Sequence, residues 1–239
     1  MRICLIPLKT EARKPDINFE RLTKRLEKAM KHGPDLVCFP ECTLTGYLSD
    51  ASDLERFAEK VPGPAMEKFG RLARENSIYI CFGLLESTAD GVCDTAVLLD
   101  RAGNIILKHH KINEKPPFSN GSKIDFADIT LRRIGILICA DLFDKRVIEK
   151  LDPSIDIILV PMFRSFDRRS PDEVRWSGQE RVAYTDAAKA TGRTVLLVNA
   201  LECGEDEPSF GGAMVVNSQG CILAETRHGT DTELFWDYN

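Results

Sequence analysis

Two hydrophobic periods alternate along the chain. RICLIPL (2–8), DLVCFP (35–40) and SIYICFGLL (77–85) are short, largely apolar runs of strand character. Residues 16–32, DINFERLTKRLEKAMKH, instead place Leu22, Leu26, Ala29 and Met30 on one face at helical spacing. Asp16 is positioned to cap that helix and Gly33-Pro34 to close it. A second helix is predicted over 64–76, with Pro64 first and Ala65, Met66, Phe69, Leu72 and Ala73 facing inward. Two hairpins share one plan, CDTAVLLD-RAG-NIILK (93–108) and GGAMVVN-SQG-CILAE (211–225), and in each a glycine supplies the turn. Further strands are predicted at ITLRRIGILIC (129–139), IDIILVP (155–161) and RTVLLVN (193–199), with an Ala-rich helix over 172–190 stopped near Gly192. The near-continuous apolar character of the last two strands predicts burial on both faces. No linker or low-complexity stretch interrupts the pattern. The expectation is a single α/β domain over residues 1–239 with mixed sheets. The matching hairpins leave two readings open, an internal duplication or turn chemistry used twice.

Composition narrows the function. The 239 residues are 43% hydrophobic and 29% charged, with a formal net charge of −5. No basic stripe of useful length is present, so nucleic acid is not an expected partner. No apolar run approaches a membrane span, and MRICLIPL is too short for a secretory signal. A cytoplasmic location is expected. Eight cysteines lack any CxxC pair, and Cys38 with Cys42 is a poor metal spacing beside only four histidines. Free buried thiols are the ordinary reading, and no metal is expected.

The candidate chemistry lies where strands stop. DLVCFP ends at Glu41, IILKHH at Lys111 and RIGILI at Cys139. Ligands of α/β folds gather at the carboxyl ends of strands. An acid, a base and a thiol at one rim suit nucleophilic catalysis, in which the thiolate needs a proton acceptor and the developing oxyanion a cation. The Ala140 backbone N–H, just past the strand, is a candidate second oxyanion donor.

These stretches resemble the nitrilase (carbon–nitrogen hydrolase) superfamily. DLVCFPECTLTGY resembles its glutamate motif, GNIILKHHKIN its lysine motif and RIGILICADLFD its cysteine motif. IDIILVPMF and SFGGAMVVNSQGCILAE resemble its scaffold strands. The resemblance implies an αββα sandwich, two mixed β-sheets flanked by helices, that pairs into a four-layer homodimer or a higher oligomer. It implies hydrolysis of a non-peptide C–N bond through a thioester, without metal or organic cofactor. Glu41 would be the base, Lys111 the oxyanion's cation and Cys139 the nucleophile. A small linear amide is the expected substrate. A nitrile or an N-carbamoyl amine is the alternative, as is an idle member that only binds.

Several positions carry two readings. Glu114, with Phe118 and Gly121, matches the family's second glutamate, yet only Ile112 and Asn113 separate it from Lys111. It is either the acid that places Lys111 or an exposed loop charge. The shortened segment predicts a more open pocket mouth than the family's usual one, unless another subunit covers it. Met162 and Phe163 are candidates to line the pocket. Arg164 either forks a substrate carboxylate or belongs to a solvated basic loop. His109 either approaches the site or is a packed histidine. Asp141 is expected to hold the loop after Cys139 by accepting backbone N–H groups.

Overall fold

The computed structural model describes residues 1–130, 132–165, 173–202 and 209–238. Its strands are β1 (Arg2–Leu5), β2 (Leu36–Cys38), β3 (Tyr79–Thr88), β4 (Gly91–Leu99), β5 (Ile105–His110), β6 (Phe126–Ile129), β7 (Arg132–Ile136), β8 (Ile157–Met162), β9 (Thr194–Asn199), β10 (Leu201–Glu202), β11 (Ser209–Phe210), β12 (Ala213–Val216), β13 (Ile222–Glu225) and β14 (Leu234–Asp237). The helices are α1 (Pro15–Met30), α2 (Ala51–Phe57), α3 (Pro64–Asn76), α4 (Lys145–Ile148), α5 (Glu173–Arg175) and α6 (Arg181–Thr191).

Twelve strands form two six-stranded sheets, ordered β14-β1-β2-β3-β4-β5 and β13-β12-β9-β8-β7-β6, and β10 pairs with β11 separately. In each large sheet three parallel strands sit at the centre, β1-β2-β3 in one and β7-β8-β9 in the other. Each trio carries an antiparallel hairpin on one side and one antiparallel strand on the other. The shared plan of the two hairpins therefore extends to both halves of the fold. Gly103 and Gly220, at φ +78° and +82°, take the left-handed conformation their turns need.

Alternation builds the layers. On β1 and β2, Ile3, Leu5, Leu36 and Cys38 enter the core shared with the second sheet, among Ile134, Ile136, Leu159 and Val198. Their neighbours Cys4, Ile6, Val37 and Phe39 face the opposite way, against Leu22, Leu26 and Ala29 of α1 and Phe69, Leu72 and Ala73 of α3. On the far side, Tyr184 and Ala188 of α6 pack onto the second sheet. The result is the αββα sandwich. No helix among the described residues is long and apolar enough to cross a membrane.

The structure corrects some boundaries. The run 129–139 is not one strand: the chain turns at Thr130, φ +45°, so that β6 and β7 form a hairpin. Asp16 does not cap α1. Pro15 opens it after Lys14, and Asp16 lies in the first turn, where an acid suits the helix dipole. α2 was not visible in the apolar pattern because it buries only Leu54; it begins where Asp50 accepts the Ser52 backbone N–H at 2.9 Å. The Ala-rich helix is interrupted by a π-helical stretch, Trp176–Glu180, and residue 172, its expected start, lies outside the described residues. Seven cysteines are free thiols, six buried and Cys221 exposed, while Cys203 lies outside the described residues.

Phe69 is the anchor of the outer layer. It stacks on Phe82 at 3.6 Å between centroids and meets Phe19 and Phe39 edge-on. Phe69→Ala should therefore cost about 3–5 kcal/mol of stability, read from chemical denaturation monitored by circular dichroism.

Candidate active site

Three strand ends converge because of strand direction. β4 runs against β3, and β5 runs against β4, so β5 ends on the same edge as β2. β7, from the facing sheet, brings its own carboxyl end to that edge.

Glu41 follows β2 and Pro40. A tight turn holds it: the Gly83 backbone N–H donates to the Pro40 carbonyl at 3.1 Å, and the Thr43 N–H to the Gly83 carbonyl at 2.9 Å. Cys42 adopts φ +46° to make the turn. The Glu41 side chain is fully buried, and a buried carboxylate requires a partner. Its Oε1 accepts from Lys111 Nζ at 2.6 Å. Its Oε2 is buried without a hydrogen-bond partner among the described residues.

Lys111 stands one residue past β5, only 3% exposed. Nζ donates to Glu41, to Asp94 Oδ2 at 3.2 Å and to Glu114 Oε2. The Tyr47 ring lies 5.4 Å from the same nitrogen. Of the two readings of Glu114, the structure shows the one that contacts Lys111, with a side chain only 8% exposed. Burial opposes the charge on Lys111, but Glu41, then Asp94, outweigh it and raise its pKa well above the lysine range. The oxygens of Glu41, Asp94 and Glu114 lie within 4.8 Å of one another, a grouping that resembles a cation site. Here the Lys111 ammonium itself lies among them.

Asp94 escaped the sequence reading. It sits inside the apolar run CDTAVLL of β4, 1% exposed. The available signal was the acid itself, since a carboxyl in the middle of a buried strand demands a partner. Burial, then the charge of Glu41, pushes it well above the usual carboxylate range.

Cys139 ends the extension of β7, in which Leu137 N–H still donates to Leu159 O at 3.1 Å. Cys139 then takes φ +41°, a strained conformation for a residue with a Cβ, and opens a 3₁₀ turn, Cys139–Phe143. Burial pushes its thiol well up, with Glu41 adding to the effect. Lys111, the backbone N–H of Phe163 and Arg164 partly offset it. The resting sulfur is thus a protonated thiol close enough to Glu41, Lys111 and Arg164 to respond to all three. Ala140, next in the turn, is half-buried, and N–H groups at the start of such a turn lack partners within it.

Asp141 is fully buried and accepts four hydrogen bonds. Oδ1 receives Ile112 N–H at 2.9 Å and Asn113 N–H at 2.8 Å; Oδ2 receives Ile138 N–H at 3.2 Å and faces His109 Nε2 at 2.9 Å. His109 is therefore a packed residue bonded to Asp141.

The other sequence candidates separate. Met162 has no exposed surface and packs in the core between the sheets, beside the strand end that carries the site. Phe163 stacks on Tyr47, which also stacks on Phe118, at 5.8 and 5.9 Å. This aromatic group accompanies a Cys139 that is only 9% exposed, in contrast to the open mouth expected from the short 112–113 segment. Arg164 is not a solvated loop charge. Nε donates to Glu180 Oε2 at 2.7 Å, and the guanidinium lies 4.8 Å from the Phe143 ring centroid. Residues 166–169 of the same loop lie outside the described residues. Trp176 and Tyr184 are buried against each other and Phe210.

Gly83 makes the Glu41 turn possible, because a Cβ there would come within 2.7 Å of the Cys42 nitrogen and the Glu41 Cα. Gly83→Ala must displace the backbone under Glu41. It should lower kcat about 10²-fold, as misplacement near 1 Å does, while circular dichroism still reports a folded sandwich.

The description Carbon-nitrogen hydrolase belongs to the family model that matches residues 4–235. An omega-amidase of Mus musculus is 25% identical over 98% of this chain and 87% of its own length. A formamidase of Bradyrhizobium sp. (strain ORS 278) is 27% identical over 82% of this chain and 56% of its own length. The crystal structure of an amidase from Nesterenkonia sp. superposes with TM-score 0.79 over 100% of this chain and 90% of that one, at 21% identity, which shows the shared fold. With its family model covering nearly its whole length, the chain belongs to the carbon–nitrogen hydrolase family of the nitrilase superfamily.

Proposed function

We propose that the protein is an amidase that hydrolyses a small linear amide through a thioester on Cys139, with Glu41, Lys111 and Glu114 completing the machinery. The observation that carries this reading is the division of labour on Glu41. One oxygen is tied to Lys111 at 2.6 Å, and the other is buried and unpartnered. The bare oxygen takes the Cys139 proton as the sulfur attacks the amide carbon, which the high thiol pKa requires to be a coupled event. The carbonyl π electrons move to oxygen, and the Lys111 ammonium and the Ala140 N–H receive the oxyanion. Collapse breaks the C–N bond, and the leaving nitrogen takes the proton from Glu41. Glu41 then accepts a proton from water, hydroxide adds to the thioester, and the acid leaves as Cys139 regains its proton. The cycle balances with protein groups and water alone. Glu114 places Lys111, and Phe163 contributes its backbone N–H to the sulfur and its ring to the site wall. The names of relatives such as the omega-amidase, the formamidase and the amidase support an amide as the substrate.

A second observation bears on the substrate. Of the Arg164 guanidinium only Nε is hydrogen-bonded among the described residues, the side chain is 32% exposed, and its charge is felt at Cys139. Its two η nitrogens remain to bind a carboxylate carried by the substrate. The same reading includes a second copy of the chain as partner, meeting the helical stretch that exposes Val174 and Val182 by 82% and 51%, and a cytoplasmic location.

Ammonia release from small amides, nitriles and carbamoyl compounds tests the reaction. Cys139→Ala should abolish turnover, and turnover that survived it would overturn the reading. Glu41→Gln should slow iodoacetamide labelling of Cys139 about 10²-fold, while the exposed Cys221 labels at its former rate. Arg164→Ala should raise KM about tenfold for amides bearing a carboxylate, the loss of one charge-assisted hydrogen bond; an equal loss on neutral amides would remove Arg164 from the site.

A further inference from the structure

Glu41, Lys111, Glu114 and Cys139 have tasks in the proposed reaction, and Asp94 has none. Asp94 pairs with Leu85 across β3 and β4 and grips Lys111 at two points. Its carbonyl accepts the Lys111 backbone N–H at 2.9 Å, and its Oδ2 accepts Nζ at 3.2 Å. Its other oxygen faces the Cys42 thiol at 3.9 Å.

Charge counting gives this contact a consequence. Glu41, Asp94 and Glu114 surround one ammonium in a site nearly closed to water. With all three ionised, the cluster would carry two uncompensated negative charges, each costing several kcal/mol at such depth. One bound proton relieves this. Glu41 lies closer to Nζ, at 2.6 Å, and so does Glu114, whereas Asp94 stands back at 3.2 Å and is the least compensated.

We propose that Asp94 is a positioning residue kept as a neutral carboxylic acid in the working enzyme, one oxygen receiving the Lys111 ammonium while its proton leaves Glu41 ionised to act as the base. This rests on the amidase reading for its role in turnover, though not for its protonation. The groups that act on Asp94 agree. Cys42 and Tyr47 face it from the segment after β2, Cys93 adjoins it on β4, and Glu41 repels its charge. Lys111 alone among these is a cation, and it is shared with Glu41 and Glu114. Burial and the charge of Glu41 accordingly hold the Asp94 carboxyl well above its ordinary range.

An asparagine reproduces the shape and neutrality of a protonated aspartate; an alanine does not. Asp94→Ala should lower kcat about 10²-fold by freeing Nζ to move, with a smaller change in KM. Asp94→Asn should recover to within about tenfold of the parent protein and keep the acid limb of its pH profile. Infrared difference spectra of the resting protein at pH 8 should contain a neutral carboxylic acid band that Asp94→Asn removes. A band that is missing from the parent, or unchanged in Asp94→Asn, overturns the proposal. So does an Asp94→Asn variant as impaired as Asp94→Ala. The infrared result needs no turnover, so it judges the proton on Asp94 even if no amide is hydrolysed, and that failure would fall on the amidase reading alone.

Discussion

A buried carboxylate, Asp141, joins the two sheets at the rim where the reactive groups meet. It accepts N–H groups from Ile112 and Asn113, which follow the lysine, and from Ile138, which precedes the cysteine. The same side chain binds His109 on β5. Lys111 and Cys139 come from different sheets, and apolar packing between sheets is not directional. Four hydrogen bonds to one ion are directional. The strained φ of Cys139 can persist only if its surroundings over-determine it, and Asp141, two residues on, supplies that restraint.

The second organising constraint is charge in a dry place. A lysine ammonium buried without acids would lose its proton. Here the charges of its acid neighbours, Glu41 first, keep it charged, and the surplus of acids over cations leaves one Glu41 oxygen unpaired among the described residues and Asp94 under-compensated. The same burial keeps the Cys139 thiol protonated at rest. In the proposed reaction the nucleophile is made as Glu41 takes its proton. The cluster needs no extra ion to hold its geometry, because the ammonium occupies the middle of the carboxylates.

The repeated plan of the two sheets places these groups without any long active-site loop. Three parallel strands at the centre of each sheet send their carboxyl ends to one edge. The base follows β2, the cation follows β5 and the nucleophile follows β7, each within a few residues of its strand. Short connections cost little order and leave positions set by the strands themselves. Gly83, on the strand beside Glu41, gives room for the turn that aims the carboxylate inward.

Apolar periodicity by itself determined a helix over about 16–32, observed as Pro15–Met30, the helix at 64–76, the two glycine hairpins and most of the central strands, because each of these buries a regular stripe or face. It also marked Glu41, Lys111 and Cys139 as polar residues at the ends of buried runs. It did not show α2, which buries one leucine and so makes no stripe, nor the turn at Thr130, because ITLRRIGILIC carries no glycine, proline or asparagine at the turn to mark the break. Asp94 and the choice between the two readings of Glu114 were decided only by tertiary structure. Their meaning depends on which distant ammonium they face, across β3, β4 and β5, and a sequence records spacing along the chain but not which charges share one unsolvated volume.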